Sequence, residues 1–150
     1  MPTSMPTAAK AVGAATFAIV GGLIANAYVP GMPDAGAAGG IRGYSAVIGA
    51  FVGWSVMGNS VGYKYLDAIG HGWKTVIVLL FIATLCFSIY EVMIQSTRQV
   101  YPGPIEAILD IFARMFGRAK ALLTFPVLTV MVIGGAVAGL VTEGTSRRWR

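Results

Sequence analysis

The sequence predicts an all-α integral membrane protein with four transmembrane helices and one interfacial amphipathic helix between helices three and four. Of its 150 residues, 56% are hydrophobic and only 11% are charged, which is about half the charged share of an average soluble domain. The charges bracket four long uncharged stretches, each close to the roughly 20 residues needed to cross a hydrocarbon core of about 30 Å. Because these stretches lack the polar–apolar alternation of barrel strands, each is predicted to be a helix.

Residues 1–150 are expected to form one membrane domain. Its four predicted spans cover residues 10–29, 43–59, 73–94 and 121–142. The first span should end near Pro30, since proline lacks an N–H group and disfavours helical geometry in the residue before it. The small residues Ala25-Asn26-Ala27 are similar to a signal cleavage site, but the apolar run is longer than a signal core, so an uncleaved helix is expected. The glycine-rich residues 31–43 lack the sequence context of a phosphate-binding loop and are predicted to be a linker.

Small residues recur at helical spacing in three of the predicted spans. Since lipid gives no hydrophobic drive for helix association, such faces let membrane helices approach closely and gain packing energy. The predicted helix-packing residues are Ala14, Ala18 and Gly22 in the first span, Ser45, Gly49 and Gly53 in the second, and Gly135 and Gly139 in the fourth. Packing within the chain is the favoured interpretation. A homo-oligomer seam, or docking onto another membrane protein, is the alternative.

Residues 104–120 differ from the spans because they carry charge along one face. Glu106, Asp110, Arg114 and Arg118 recur every four residues, with the acids first and the bases last, as the helix dipole prefers. The rest of the surface is apolar, and Pro104 suits a first helical turn. A charged stripe opposite a wide apolar face is typical of a helix lying in the plane of the bilayer surface.

Glu91 is the carboxylate predicted to lie at membrane depth, near the end of the third span. An acid in that position is costly and usually faces protein. Two interpretations stay open: a structural partner for a nearby arginine, or a functional contact with a proton or ligand. Tyr90, Tyr101 and Glu106 are grouped with it as a candidate polar site.

The composition argues against several other classes of site. Metal sites need several convergent donors, and the chain has one histidine, His71, and one cysteine, Cys86. We expect Cys86 to be a packed small side chain rather than a reactive thiolate. No constellation of catalytic side chains is visible, so neither an enzyme nor a cofactor is expected. The net charge of +5 comes from residues at the ends of the spans, which favours lipid headgroups over nucleic acid as the partner.

The tryptophans Trp54, Trp73 and Trp149 are predicted to be interfacial anchors. Four spans place six Lys and Arg residues on the side of the termini and five on the other. Three of those five belong to the amphipathic helix, so the positive-inside rule favours both termini in the cytoplasm.

Several motifs spread along the chain resemble those of the TrgA-type membrane proteins of α-proteobacteria, a family named for an association with tellurite resistance. The matching pieces are Pro6-Thr7-Ala8-Ala9-Lys10, Gly53-Trp54-Ser55-Val56-Met57-Gly58, Ala68-Ile69-Gly70-His71-Gly72, Ser88 with Tyr90-Glu91, Tyr101-Pro102-Gly103-Pro104-Ile105-Glu106-Ala107 and Arg147-Arg148-Trp149-Arg150. The chain departs from the family pattern where Val92 separates Glu91 from Met93. The resemblance implies a bacterial inner-membrane protein with a role in tellurite tolerance, and it carries over no binding or catalytic residue.

Two functions are therefore expected, one from the resemblance and the other from the features of the helices. The resemblance favours a non-enzymatic membrane protein that influences tellurite handling. The small-residue faces, aromatic anchors and amphipathic helix also suit an accessory subunit of a larger photosynthetic or respiratory complex, contacting other subunits, lipid, pigment or quinone. An enzyme or transporter is the weakest alternative, since one intramembrane acid is little support for a pore or pump.

Overall fold

The computed structural model describes residues 8–31, 38–62, 64–98 and 101–148. Its helices are α1 (Ala8–Tyr28), α2 (Ala38–Val52), α3 (Tyr65–Thr97), α4 (Pro104–Leu122) and α5 (Phe125–Arg148). A 3-10 turn, Val29–Gly31, follows α1, and α2 continues into a π-helix, Gly53–Met57. The described residues contain no strand, so the all-α prediction is confirmed. Trp149, the N-terminal residues 1–7 and residues 32–37 of the predicted linker lie outside the described residues. Residues 38–43, predicted as linker, form the start of α2.

Three helices, α1, α3 and α5, are long and apolar enough to cross a membrane by length and composition. The prediction of a membrane protein with transmembrane helices is confirmed to that extent. The helix of the third predicted span begins earlier than expected, at Tyr65. Asp67 lies in its first turn, where the helix dipole favours a carboxylate. Likewise α5 runs past residue 142 to Arg148, with two arginines in its last turn.

The helix α1 packs against α2 and α5, and α3 packs against α5 and, less extensively, against α2. The crossing of α1 and α2 is antiparallel and runs through small residues: a Cβ added at Gly49 would overlap the carbonyl oxygen of Phe17, and one at Gly53 would overlap that of Gly13. The two backbones therefore touch without an intervening side chain. The side chain of Phe17, which is completely buried, fills the space beside this crossing.

A second close crossing joins α3 to α5. A Cβ at Gly72 would overlap the carbonyl oxygen of Gly135, and one at Gly139 would overlap that of Ala68. Next to this crossing the indole N–H of Trp73 donates to the carbonyl oxygen of Val132 at 3.1 Å. Close approach through small residues on both helices is how membrane helices gain packing energy.

The packing face of α1 lies one position earlier than predicted. It consists of Gly13, Phe17 and Gly21, which are buried, whereas a Cβ at Gly22 would meet nothing within 4 Å, and Ala14 and Ala18 are half-buried. Small residues occupy adjacent positions here, so their spacing does not distinguish one stripe from its neighbour. The large ring of Phe17 decides which stripe turns inward. The other predicted packing residues, Ser45, Gly49, Gly53, Gly135 and Gly139, lie in the two crossings.

The π-helix at the end of α2 closes with a hydrogen bond from the Gly58 amide to the Gly53 carbonyl, at 3.0 Å. This wider turn buries Met57 completely, with its sulfur 3.9 Å from the Thr75 hydroxyl of α3. No sequence pattern indicated a π-helix, which inserts one extra residue into a helical turn.

The helix α4 has no buried residue, and it is separated from α5 by a break at Leu123 and Thr124. Pro126 explains the break, because it has no N–H to continue the helix and restricts the residue before it. The predicted span from residue 121 therefore begins instead at Phe125. Along α4, successive arginines contact progressively earlier turns of α3: Arg114 reaches Gln95 and Glu91, and Arg118 reaches Ser88. The two helices thus run antiparallel.

The glycine crossings predict unequal effects of the same substitution. Gly49→Ala should destabilise the protein by about 1–3 kcal/mol, because its methyl group would displace the α1 backbone at Phe17. Gly22→Ala is the matched control, and it should leave stability unchanged or slightly raised, since its methyl group meets open space. Thermal unfolding in a mild detergent measures both. Equal midpoints for the two variants would contradict the close crossing.

Candidate functional site

A cluster of polar side chains joins the last turns of α3 to α4. It comprises Ser88, Glu91 and Gln95 of α3, Tyr101 of the loop, and Asp110, Arg114 and Arg118 of α4. We call this set the α3–α4 clamp. Two arginines and two carboxylates balance its formal charge.

Arg114 lies at the centre of the clamp. Its guanidinium donates from Nε to Asp110 at 2.7 Å, from one terminal nitrogen to Glu91 at 2.8 Å, and from the other to Gln95 at 2.8 Å. The planar guanidinium fork is suited to several fixed acceptors at once. One side chain therefore ties its own helix to two successive turns of α3.

Arg118 forms the second link, one turn further along α4. It donates to the Ser88 hydroxyl at 3.2 Å and pairs with the second carboxylate oxygen of Glu91. Each oxygen of Glu91 thus has its own arginine. Of the two interpretations left open for Glu91, this geometry supplies the structural one, a partner for nearby arginines.

The Tyr101 hydroxyl completes the clamp by donating to Asp110, and it also lies 2.9 Å from the Gln95 side-chain oxygen. This hydrogen bond, followed by that from Arg114, lowers the pKa of Asp110 below its ordinary value of 3.8. The same bond raises the pKa of Tyr101 above 10.0, because the phenol is held as a donor to a carboxylate. The Asp110 carboxylate chiefly raises the pKa of Arg114. All three groups are therefore held in their hydrogen-bonding forms at neutral pH.

The predicted site residues divide into two groups. Glu91 and Tyr101 lie in the clamp, whereas Glu106 is exposed and outside it, and Tyr90 is exposed beside it. Gln95 was not predicted at all. The spacing of Asp110, Arg114 and Arg118 indicated their shared face, but only the antiparallel path of α4 shows that this face meets Glu91.

The polar face of α4 is turned toward α3, and its apolar face is turned away from the protein. Its outward side chains are more than half exposed, namely Ile105, Ile108, Leu109, Phe112 and Phe116. The acceptors that α3 offers at Glu91, Gln95 and Ser88 explain this orientation, since they satisfy the two arginines of α4 within the fold.

A groove of about 700 Å³ opens between α1, α2 and α3, with the end of α4 at one side. Its walls are mainly apolar, and Tyr44 of α2 and Phe87 of α3 meet edge to face across it at 6.5 Å. Glu91 and Arg118 of the clamp also line it. The volume lies within the range of small-molecule sites in proteins.

Cys86 is exposed and lines this groove. The sequence led us to expect that Cys86 is packed inside the helix bundle, and it is not. A thiol in the middle of an apolar helix can face either the protein or its surroundings, and hydrophobicity alone does not choose between them.

A second buried polar group lies at the other end of the bundle. Glu143 of α5 is completely buried. It accepts hydrogen bonds from the Gly62 amide at 2.9 Å and from Arg147 at 3.1 Å, and Arg147 also stacks on the Tyr65 ring at 4.4 Å. Gly62 has a φ of 102°, a left-handed conformation that glycine adopts readily. We call the contacts of Glu143 with Gly62 and Arg147 the Glu143 latch. The sequence analysis placed Glu143 just beyond the fourth span and did not predict its contact with the α2–α3 loop.

The remaining predicted positions have simpler surroundings. Trp54 and Trp73 are 43% and 45% exposed, and Trp73 also bonds α5, as described above. Among the residues that the structure describes, no group of three His, Cys, Asp or Glu side chains could hold a metal ion.

The clamp predicts a pH dependence for the docking of α4. Because the pKa of Asp110 is lowered, its contribution is complete above pH 3.8 and is lost as the pH falls through its folded-state value. The raised pKa of Tyr101 has the opposite effect: its contribution is complete below pH 10.0 and is lost as the pH rises further. Hydrogen exchange should show that the α4 amides are most protected between these two pH limits and lose protection beyond each of them.

Asp110→Asn provides the control for the acidic limit. It should weaken α4 protection at neutral pH and remove the Asp110-dependent part of the loss in acid. Identical pH profiles in the wild type and in this variant would show that Asp110 does not hold α4.

The buried latch predicts that Glu143→Ala destabilises the protein. The change leaves the Gly62 amide and Arg147 without this acceptor, and an unsatisfied buried group costs on the order of 1–3 kcal/mol. Thermal unfolding in detergent should show the loss, whereas Glu106→Ala, at an exposed carboxylate, should change little. Equal effects of the two substitutions would exclude the latch.

Comparison of the chain with known protein families, with curated proteins and with solved structures finds no match. The resemblance to TrgA-type proteins therefore depends on the motifs quoted from the sequence.

Proposed function

We propose that the protein is a non-enzymatic, four-span membrane protein that acts as an accessory component, contacting lipid and neighbouring membrane proteins. The observation that carries this proposal is that the charged side chains of the clamp pair with one another while large apolar side chains face outward. The charges of the α3–α4 clamp are bound to one another, and large apolar side chains of all five helices face outward. Such a surface is suited to contact with other apolar surfaces rather than to chemistry on a polar substrate.

The fourth span in this proposal is α2 with its π-helical continuation. Together they cover residues 38–57, and 20 residues at about 1.5 Å each approach the roughly 30 Å of a hydrocarbon core. The contact of α2 with α1 along the glycine crossing supports a shared depth for the two helices. In this arrangement α1, α2, α3 and α5 cross the membrane.

The helix α4 is proposed to lie at the membrane boundary, with its apolar face turned to lipid and to neighbouring membrane proteins and its polar face on α3. Its outward phenylalanines and isoleucines are uncovered by the described protein, and an amphipathic helix at the bilayer boundary buries such a face. The clamp then fixes the helix to the end of α3. We place both termini in the cytoplasm and the protein in the bacterial inner membrane, on the charge distribution and on the resemblance.

Tellurite tolerance is the second proposed function, favoured by the motifs shared with TrgA-type proteins. The structural place of Glu91 suggests how the two proposals are related: the clamp would maintain a membrane surface on which another component depends. Loss of that component would then alter tolerance indirectly, without contact between this chain and the oxyanion.

Purification in mild detergent followed by native mass analysis tests the accessory role. We expect stoichiometric co-purification with a larger respiratory or photosynthetic complex. Phe112→Glu, on the exposed apolar face of α4, should reduce the recovered complex at least tenfold, whereas Glu106→Gln, on the same helix, should not. A lone monomer or homodimer from native membranes would contradict the accessory role.

The tellurite proposal is tested separately in a deletion strain. Wild-type protein should restore growth on tellurite, and Glu91→Gln should restore it only partly, because the substitution removes the charge that binds Arg114 and Arg118. A deletion strain as tolerant as its parent would exclude this function and leave the accessory role intact.

A further inference from the structure

We infer that the groove between α1, α2 and α3 binds a zwitterionic phospholipid, with one acyl chain along its apolar walls and the headgroup at Arg118 and Glu91. The inference rests on the membrane location proposed above. It goes further by naming the molecule, its orientation and the residues that hold it.

The shape of the groove fits an acyl chain. Along α3 its lining runs from Leu79 to Glu91, a length on the order of 18 Å at 1.5 Å per residue. That length is close to half of a hydrocarbon core of about 30 Å, which is the depth of one leaflet. Leu79, Ala83 and Phe87 give this wall an apolar surface, and Ile24 and Ile48 face it from α1 and α2.

Charged groups stand at one end of the lining. Arg118 is largely buried, with a side chain 15% exposed, and Glu91 beside it is 37% exposed. A guanidinium has five N–H donors, and within the described part of the chain Arg118 donates to Ser88 and Glu91. Further donors on Arg118 are therefore available to a ligand, and phosphate is an acceptor whose geometry matches the guanidinium fork.

The pairing of Arg118 with Glu91 selects the class of headgroup. An anionic headgroup would meet the carboxylate as well as the guanidinium, and the repulsion from Glu91 would offset much of the attraction. A headgroup with both a phosphate and an ammonium group matches the pair, with phosphate on Arg118 and ammonium on Glu91. Complementary charge of this kind gives specificity more than affinity.

A hydroxyl group in the wall supports a ligand with polar atoms near its chain. Ser45 lines the groove and is 7% exposed. Among the described residues no fully buried side-chain oxygen lacks a hydrogen bond, so the Ser45 hydroxyl contributes only a polar group to the wall. The ester carbonyl of a phospholipid, near the top of its acyl chain, is an acceptor that this hydroxyl can reach from the wall.

Native mass analysis of the detergent-purified, delipidated chain tests the inference. Dioleoyl phosphatidylethanolamine should bind with one molecule per chain, and at least fivefold more tightly than dioleoyl phosphatidylglycerol. Val47→Trp and Cys86→Trp place an indole in the groove from positions that are exposed there, and each should reduce the bound phosphatidylethanolamine at least tenfold. Ile77→Trp, at an exposed position of α3 outside the groove, is the matched control and should retain it.

Circular dichroism of each variant shows whether it is folded, and only variants with wild-type helicity enter the comparison. Two groove positions are used so that the failure of one to fold leaves the test in place. Absence of bound phosphatidylethanolamine, equal binding of phosphatidylglycerol, or unchanged binding in a folded groove variant would overturn the inference. So would retention of a quinone or pigment in its place. A chain that is soluble without detergent would overturn the membrane proposal itself, which is a different result.

Discussion

The fold depends on direct contact between helix backbones at two crossings, one between α1 and α2 and the other between α3 and α5. Between helices surrounded by lipid, apolar side chains gain little from leaving their surroundings, so association depends on close van der Waals contact. Glycines at both crossings remove the side chains that would separate the backbones. The contact of α1 with α5 then joins the two pairs, and the groove is the space left where α2 and α3 meet chiefly through Tyr44 and Phe87.

The charged side chains have a separate role in this protein: they attach α4, a helix that has no fully buried residue. The clamp residues are about a sixth to a third exposed, and ion pairs of that kind contribute on the order of 1 kcal/mol each or less. Several of them share Arg114 and Glu91, so the attachment of α4 depends on the set as a whole rather than on one pair. Because the polar face is used inward, the apolar face of α4 is left for contact with the surroundings.

The sequence was most informative where local composition determines the outcome. The apolar lengths predicted helices, and Pro104 marked the start of α4. The start of the last span was predicted at residue 121, whereas α5 begins at Phe125. The glycines predicted as packing positions in α2 and α5 lie at the two crossings. In α1 several small residues adjoin, and only tertiary packing of Phe17 distinguishes the true face. Glu143 and the pairing of Glu91 depend on chain reversal, which brings together residues that are distant in sequence, so local patterns did not reveal them.

The π-helix at Gly53–Met57 has a consequence for how this chain can change during evolution. One additional residue in the turn rotates everything after it by about 100° relative to a regular α-helix. That rotation lets Gly53 face α1 while Met57 faces Thr75 of α3, and it directs the following loop so that the Gly62 amide reaches Glu143. A deletion of a single residue here would restore a regular helix and misdirect both contacts at once. Length in this segment is therefore constrained more tightly than residue identity.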